Sequence, residues 1–323
     1  ELFAKLLEND HLVEATQSMP FSETEQRFLS DRFVEGTCPH CGHESARGDQ
    51  CDNCDRTLDP IDLINIRSKR DGSTPVFKDT THYMLKLGDF QEKLEKWVSG
   101  QDDWRANVRN QTLGMLREGL HDRAITRDID WGVPVPIEGW ESKRIYVWFE
   151  AVIGYLSAAR AWAEQNGTPD EWKKFWVASE GESYYFQGKD NVSFHTIMLP
   201  SILMGSGDLN LPTDVVANEY LNIGGADFSK STGNAIWVTD FLSRYEADPL
   251  RYYLSSIMPE TSDSDFTWEG FHAANNNELV ATFGNFVNRV LTITARNFDK
   301  AVPTPGELDD SDKAALSACD TAL

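Results

Sequence analysis

A chain of 323 residues with 40% hydrophobic side chains, among them 10 Trp, 17 Phe and 9 Tyr, can bury a core without cross-links and is set apart from disordered segments. Its 52 acidic and 30 basic residues leave a net charge of −22, which excludes a broad surface for coating nucleic acid. No run of about 18 apolar residues is present to span a bilayer, Glu1 to Leu7 lacks the build of a signal peptide, and a start at Glu rather than Met reads as an incomplete chain.

Any nucleic-acid contact must then use local basic patches: Arg67-Ser68-Lys69-Arg70, Arg123 with Arg127, and Arg289 with Arg296. A solvated, salt-bridged face is the alternative reading of each. In chain order, Leu2, Phe3, Leu6 and Leu7 share one face of a predicted helix over 1–8 that closes near Asn9-Asp10. Residues 33–59 are rich in Cys, Gly, Asp and Pro, with too few apolar side chains for a core, so they need an external staple. Cys38-Pro39-His40-Cys41 and Cys51-Asp52-Asn53-Cys54 supply it as two CxxC pairs separated by nine residues. Each tight turn aims two sulfurs at one point, and Cys38, Cys41, Cys51 and Cys54 together suit one tetrahedral Zn2+ with no open position for substrate. A redox or disulfide pair is the alternative, and His40 or His43 is a substitute ligand. Cysteines clustered for metal rather than spread as a disulfide framework point to a reducing compartment, the cytoplasm.

Strand-like pieces over 80–87 and 125–137 bracket predicted helices over 90–97 and 108–119. The β-prone run 145–149 leads into a helix over 151–165. Phe175-Trp176-Val177-Ala178 reads as a second strand followed by the loop Gly188-Lys189-Asp190, then a helix over 192–204 and a strand over 214–217. This alternation predicts a parallel α/β sheet with ligands at the carboxyl ends of its strands. After Trp237 helices are predicted over 240–245 and 249–258, then a polar link over 262–265 and one long amphipathic helix over 274–296. A further helix opens at Ser311.

The segment Gly224-Gly225-Ala226-Asp227-Phe228-Ser229-Lys230-Ser231-Thr232-Gly233-Asn234 carries a cation between hydroxyls. Its glycines allow backbone N–H groups to approach phosphate oxygens, and Lys230 is a compact, mobile charge. An exposed surface turn is the alternative, and the Walker pattern is absent.

This loop resembles the KMSKS loop of class I aminoacyl-tRNA synthetases, and the rest of the chain resembles the methionyl-tRNA synthetases. The resemblance is carried by Phe28-Leu29-Ser30-Asp31-Arg32-Phe33-Val34-Glu35-Gly36-Thr37-Cys38, Ala124-Ile125-Thr126-Arg127-Asp128, and Tyr146-Val147-Trp148-Phe149-Glu150-Ala151. Gly188-Lys189-Asp190-Asn191-Val192-Ser193-Phe194-His195, Asp248-Pro249-Leu250-Arg251-Tyr252-Tyr253 and Gly284-Asn285-Phe286-Val287-Asn288-Arg289 extend it.

The resemblance implies an α/β fold: a partial class I synthetase Rossmann-like parallel sheet, an inserted zinc-knuckle connective domain and a partial C-terminal α-helical bundle. Residues 1–11 would end the first half of the Rossmann-like domain, 12–124 form the connective insertion with its knuckle at 33–59, and 125–236 form the second half with the Lys loop. Residues 237–272 would be a helical connector and 273–323 the start of an anticodon-binding bundle. It further implies a methionine site at Trp148, Ala151, Tyr155 and His195, with Tyr155 and His195 each offering a hydrogen bond to the thioether. ATP would be held by Gly188, Asp190, Leu221, Ser229, Lys230 and Ser231, with Lys230 and Arg127 catalytic. The implied chemistry is activation of methionine by ATP and Mg2+ and its transfer to tRNA(Met), with structural zinc and no membrane partner.

Departures from the family pattern are Asp227, Phe228, Glu150 and Val152. His residues stand at 11, 40, 43, 82, 121, 195 and 272, so His-x-Gly-His is absent and the chain alone is expected to be inactive. The alternatives are a class I synthetase for another amino acid, leucyl-type or cysteinyl, and a non-catalytic RNA- or zinc-binding module derived from a synthetase.

Overall fold

The computed structural model describes residues 1–49, 51, 53–54, 58–177, 180–207, 209–229 and 233–322, in two compact units, Glu1–Asn218 and Glu219–Leu323. The first unit opens with α1 (Leu2–Glu8), which buries Phe3 and Leu6 as the spacing predicts. Then β1 (Leu12–Ser22), β2 (Arg27–Phe28), β3 (Val34–Thr37), β4 (Ala46–Arg47), β5 (Ile64–Ser68) and β6 (Val76–Leu85) form two antiparallel sheets. β1 and β6 make one long ribbon, in register from Leu12↔Leu85 to Phe21↔Val76. Between these two strands the chain makes a smaller sheet, ordered β4-β3-β5.

β1 has no counterpart among the predicted elements. Most of its residues stay exposed or half-buried on both faces, so the alternation that marks a half-buried strand is missing. Pairing is supported instead by side chains such as Thr16 and Thr81, whose hydroxyls are 3.0 Å apart across the ribbon.

Helices α2 (Gln91–Ser99) and α3 (Ala106–Glu118) follow as predicted and contribute Leu94, Val98, Val108 and Leu116 to the main core. Of the short strand-like pieces expected over 125–137, β8 (Thr126–Arg127) forms and pairs with β9 (Arg144–Ile145), with β7 (Arg123–Ala124) just before it. The β-prone run 145–149 is corrected: α4 spans Val147–Gln165, and only Ile145, which ends β9, and Tyr146 remain extended. Phe149 and Val152 are buried three apart, so a helical period wins over local β preference.

A second correction concerns 175–178. Lys173–Trp176 is the short helix α5, which buries Trp176, and Ala178 lies outside the described residues. The strand is instead β10 (Tyr184–Gly188), which after a widened helical turn at Phe194–Met198 and helix α6 (Leu199–Ser206) pairs in parallel with β11 (Asp214–Asn218). The parallel α/β expectation therefore holds for this pair.

In the second unit, β12 (Leu221–Ile223), α7 (Val238–Leu242), α8 (Ala247–Ser256), β13 (Ser264–Phe266) and α9 (Trp268–Ala273) enclose Phe241, Tyr253, Phe266 and Phe271. β12 and β13 are parallel, so the second half of the polar link expected over 262–265 is corrected to a strand. A helical segment at Ala274–Gly284 continues into α10 (Asn285–Asn297), as one long helix was expected, and α11 (Asp310–Ala322) follows. Among the described residues no helix is long and apolar enough to cross a membrane.

Candidate functional site

The cysteine cluster is built from two short turns. Beyond β3 the chain reverses at Gly42, whose φ of +75° favours glycine. The Cys38 N–H donates to the His43 carbonyl at 2.8 Å, and the Gly42 N–H to that of Cys38 at 3.0 Å. Sulfur to sulfur, Cys38–Cys54 is 3.9 Å and Cys41–Cys51 is 3.6 Å, and all four sulfurs lie within 4.8 Å of one another. None is in a disulfide, and the donor group consists of the four cysteines without His40 or His43. Hydrogen bonds from the backbone of His43, then from the Asn53 side chain, lower the Cys41 thiol to about 6, favouring the thiolate. The cluster can hold a metal ion. It also has a small core of its own, with Cys38 and Cys51 buried among Leu29, Val34, Ala46, Leu58 and Leu63, which corrects the expectation of none.

Helix α4 places Trp148, Ala151 and Tyr155 three and four residues apart, on one stripe. They are half-buried or exposed, while Phe149, Val152 and Leu156 are buried. His195, in the widened turn before α6, meets this stripe: the Tyr155 hydroxyl is 3.0 Å from Nε2, and Nδ1 is 3.0 Å from the Asn191 carbonyl oxygen. A carbonyl only accepts, so Nδ1 carries the proton and Nε2 accepts from the tyrosine hydroxyl. Burial holds the imidazole below its usual range, and hence neutral, against the opposing pull of the Asn191 carbonyl.

Both protons expected to reach a thioether are therefore engaged inside the protein, which corrects that expectation. What the stripe offers instead is aromatic surface. Trp148 stacks on Phe194 at 4.6 Å, and Tyr185 lies 5.1 Å from Tyr155 and 5.4 Å from His195 between ring centroids. Sequence reasoning gave neither Phe194 nor Tyr185 a role, although Phe194 lies inside a quoted motif and Tyr185 three residues before it. Beside Tyr155 a cavity of about 350 Å³ is lined by Phe175, Trp176, Glu182, Tyr184, Tyr185 and Phe186.

Gly188 is the last residue of β10, and Asp190 stands in the tight turn at Lys189–Asn191. They lie at the carboxyl end of a parallel strand, where ligands bind in such sheets. A Cβ at Gly188 would come 2.7 Å from Asp190 Oδ1, so glycine lets the carboxylate fold back over the strand end.

Arg127 is 16% exposed and lies over the Tyr146 ring at 3.9 Å. Its Nη1 donates to the carbonyls of Ala124 and Thr126 at 2.8 and 2.9 Å, and Nη2 is 3.8 Å from Asp31. The adjacent Asp128 was only part of a motif in the sequence. Burial raises its carboxyl, but hydrogen bonds from His82, Lys143 and Thr80 outweigh that and bring it to about 2.

In the second unit Leu221 begins β12 and packs against the local core. Lys230, Ser231 and Thr232 lie outside the described residues. The phosphate-cradle expectation for the glycine pair is corrected: Gly224 and Gly225, with φ of +59° and +78°, make the turn that closes the bridge Ile223↔Ala226. Their N–H groups donate to the Phe266 carbonyl at 3.2 Å and to Asp265 Oδ1 at 2.9 Å. The Ser229 N–H donates to the Asn234 carbonyl at 2.9 Å, and Asn234 Nδ2 reaches the Asp227 carbonyl at 2.8 Å.

Compared with known proteins, residues 1–291 match the family model described as tRNA synthetases class I (M). The methionine--tRNA ligase of Dehalococcoides mccartyi (strain CBDB1) is 56% identical over 293 residues, 91% of this chain and 53% of the relative. That of Thermobifida fusca (strain YX) is 50% identical over 340 residues, 100% of this chain and 56% of the relative. The chain spans about half the length of the curated relatives it matches. Among solved structures, Mycobacterium tuberculosis methionyl-tRNA synthetase in complex with methionyl-adenylate aligns with a TM-score of 0.71 at 25% identity, covering 99% of this chain and 56% of that one. On the family match and the identity to these relatives, the chain belongs to the methionyl class I tRNA synthetases.

Proposed function

We propose that this chain serves the activation of methionine by ATP to methionyl adenylate and the transfer of methionine to tRNA(Met). The observation that carries this reading is the stripe of Trp148, Ala151 and Tyr155 meeting His195. Its donors are paired internally and its outward offering is aromatic, which suits a polarizable thioether that makes only weak hydrogen bonds. The names of the relatives favour methionine over another amino acid, and favour an enzyme over a non-catalytic module.

In the proposed reaction a methionine carboxylate oxygen attacks the α-phosphorus of ATP. The bond to the bridging oxygen breaks, and pyrophosphate leaves with Mg2+. A ribose hydroxyl at the 3′ end of tRNA(Met) then attacks the activated carbonyl, and AMP leaves. Asp190 would accept hydrogen bonds from the ATP ribose with Gly188 giving it room, and the Leu221 backbone would meet adenine. Ser229 and Ser231 would donate to phosphate, and Lys230 would stabilise the charge that develops there. Arg127, held over Tyr146, would add positive potential rather than a mobile contact.

Zinc fits the cysteine cluster. A tetrahedron with Zn–S bonds of about 2.3 Å has edges of about 3.8 Å, and the two close sulfur pairs are 3.9 and 3.6 Å apart. Four sulfurs leave no place for substrate, so the ion would act as a staple. In this reading 12–124 is the connective insertion, 125–236 the second half of the catalytic domain, 237–272 the connector and 273–323 the start of the anticodon-binding bundle. Free cysteines gathered for a metal support a reducing compartment, the cytoplasm, in this reading.

The test is ATP–pyrophosphate exchange by the protein expressed from its complete gene, with methionine, leucine and cysteine offered separately. Exchange with methionine, slowed about a hundredfold or more by Lys230→Ala, is expected. Exchange driven by cysteine or leucine in preference to methionine, or none with any of the three, would overturn the reading.

A further inference from the structure

The segment that carries Lys230 is tied at its base by side chains that belong to no substrate site. The chain leaves β12 at Ile223, turns at Gly224-Gly225 and returns through the bridge Ile223↔Ala226. Backbone hydrogen bonds run both ways across it, Ile223 N–H to Ala226 at 2.9 Å and Ala226 N–H to Ile223 at 3.2 Å. Asp265 on β13 fixes the tip of this turn by accepting the Gly225 N–H at 2.9 Å. Three residues on, a second bridge, Ser229↔Asn234, closes around the four residues 230–233.

The Asn234 carboxamide joins the two bridges. Its Nδ2 donates to the Asp227 carbonyl at 2.8 Å, with the Ile223 and Ala226 carbonyls each 3.4 Å away. One side chain on the returning arm thus holds the outgoing arm and the preceding turn. Only a group with two N–H donors and no charge suits this place. An aspartate there would face three carbonyl oxygens with no proton to share, and an alanine would leave the arms joined by the backbone bridge alone.

We infer that Asn234 is a positioning residue for Lys230, with Asp265 as its second anchor: together they fix the chain on either side of that residue. This rests on the proposed role of Lys230 in adenylate formation. A cation that stabilises a developing charge must be held close to its place, and a misplacement of about 1 Å costs on the order of a hundredfold in rate. The clasp answers that need, because it fixes the described residues on either side, Ser229 and Asn234, and ties the glycine pair to β13.

The experiment measures methionyl adenylate formation in the protein from its complete gene, with Asn234→Ala and Asp265→Ala each made alone and in a Lys230→Ala background. The expected result is a fall in kcat of about tenfold to a hundredfold for each single variant, with KM for methionine unchanged. Neither should slow the Lys230→Ala protein further, because a residue acting through another loses its effect once that other is gone. Two anchors on different elements keep the test alive if one variant fails to fold. Unchanged kcat, or losses that multiply with that of Lys230→Ala, would overturn the inference while leaving the proposed function in place. A Lys230→Ala protein as fast as the wild type would overturn both.

Discussion

Tyr155 on α4 donates its hydroxyl proton to Nε2 of His195 across 3.0 Å, because the Asn191 carbonyl holds the imidazole proton on the opposite nitrogen. The pair is therefore a fixed aromatic wall, ordered by one backbone carbonyl. Replacing Tyr155 by Phe keeps the ring and strips the donor, leaving a buried acceptor without its partner at a cost of about 1–3 kcal/mol. KM for methionine in pyrophosphate exchange should rise about tenfold, with the melting temperature shifted by only a few degrees. An unchanged KM would show that the wall does not need its internal hydrogen bond.

Acid should loosen the first unit as its buried histidines are driven to take up protons. Burial holds both His82 and His195 below their usual range, so each stays neutral in the folded chain at pH values where the unfolded chain takes up a proton. The unfolded state then binds more protons, and stability rises with pH. The contribution is complete above about 6.5 and is lost as pH falls through the lower folded values. Urea unfolding at pH 7.5 and 5.5 should show a lower midpoint at 5.5, and His195→Gln should flatten that dependence. A midpoint that rose on acidification would contradict the sign.

The cysteine cluster and the main core have separate apolar interiors, the first holding Leu29, Val34, Leu58 and Leu63, the second Leu85, Phe90, Phe149 and Leu199. A chelator should therefore raise amide exchange within 33–59 and leave α4 and α6 protected. Cooperative loss of protection across both regions would show that the metal stabilises the whole unit rather than its own turns.

These relationships were legible in the sequence to very different degrees. The four cysteines could be read because ligand spacing is local, and α1, α2 and α3 because their apolar positions repeat every three to four residues. Trp148 and Tyr155 were picked out by the family resemblance alone, since Trp148 fell in the run read as β-prone and only the observed start of α4 puts both on one stripe. The run from Ile145 to Phe149 could not be settled locally, since aromatic and β-branched residues suit a buried helix as well as a strand. At 262–265 the polar side chains concealed a strand: Asp263 and Asp265 accept the N–H groups of Tyr220 and Gly225. Asn234 was in plain view beside the Lys loop, but its role depends on three carbonyls that only the folded turn brings together.

Gly188 offers the narrowest steric test of the strand end. Its φ is −83°, an ordinary value, so an alanine meets no backbone strain and the whole effect must come from the space its methyl takes. That methyl would sit 2.7 Å from Asp190 Oδ1 and push the carboxylate off the carboxyl end of β10. If Asp190 holds the ATP ribose, Gly188→Ala should raise KM for ATP about tenfold to a hundredfold and leave KM for methionine near its original value. Asp190→Ala should do the same, and combining the two should add little, because both remove one contact. Equal losses for ATP and methionine would instead mean that the methyl disturbs the following turn, including the Asn191 carbonyl that orients His195.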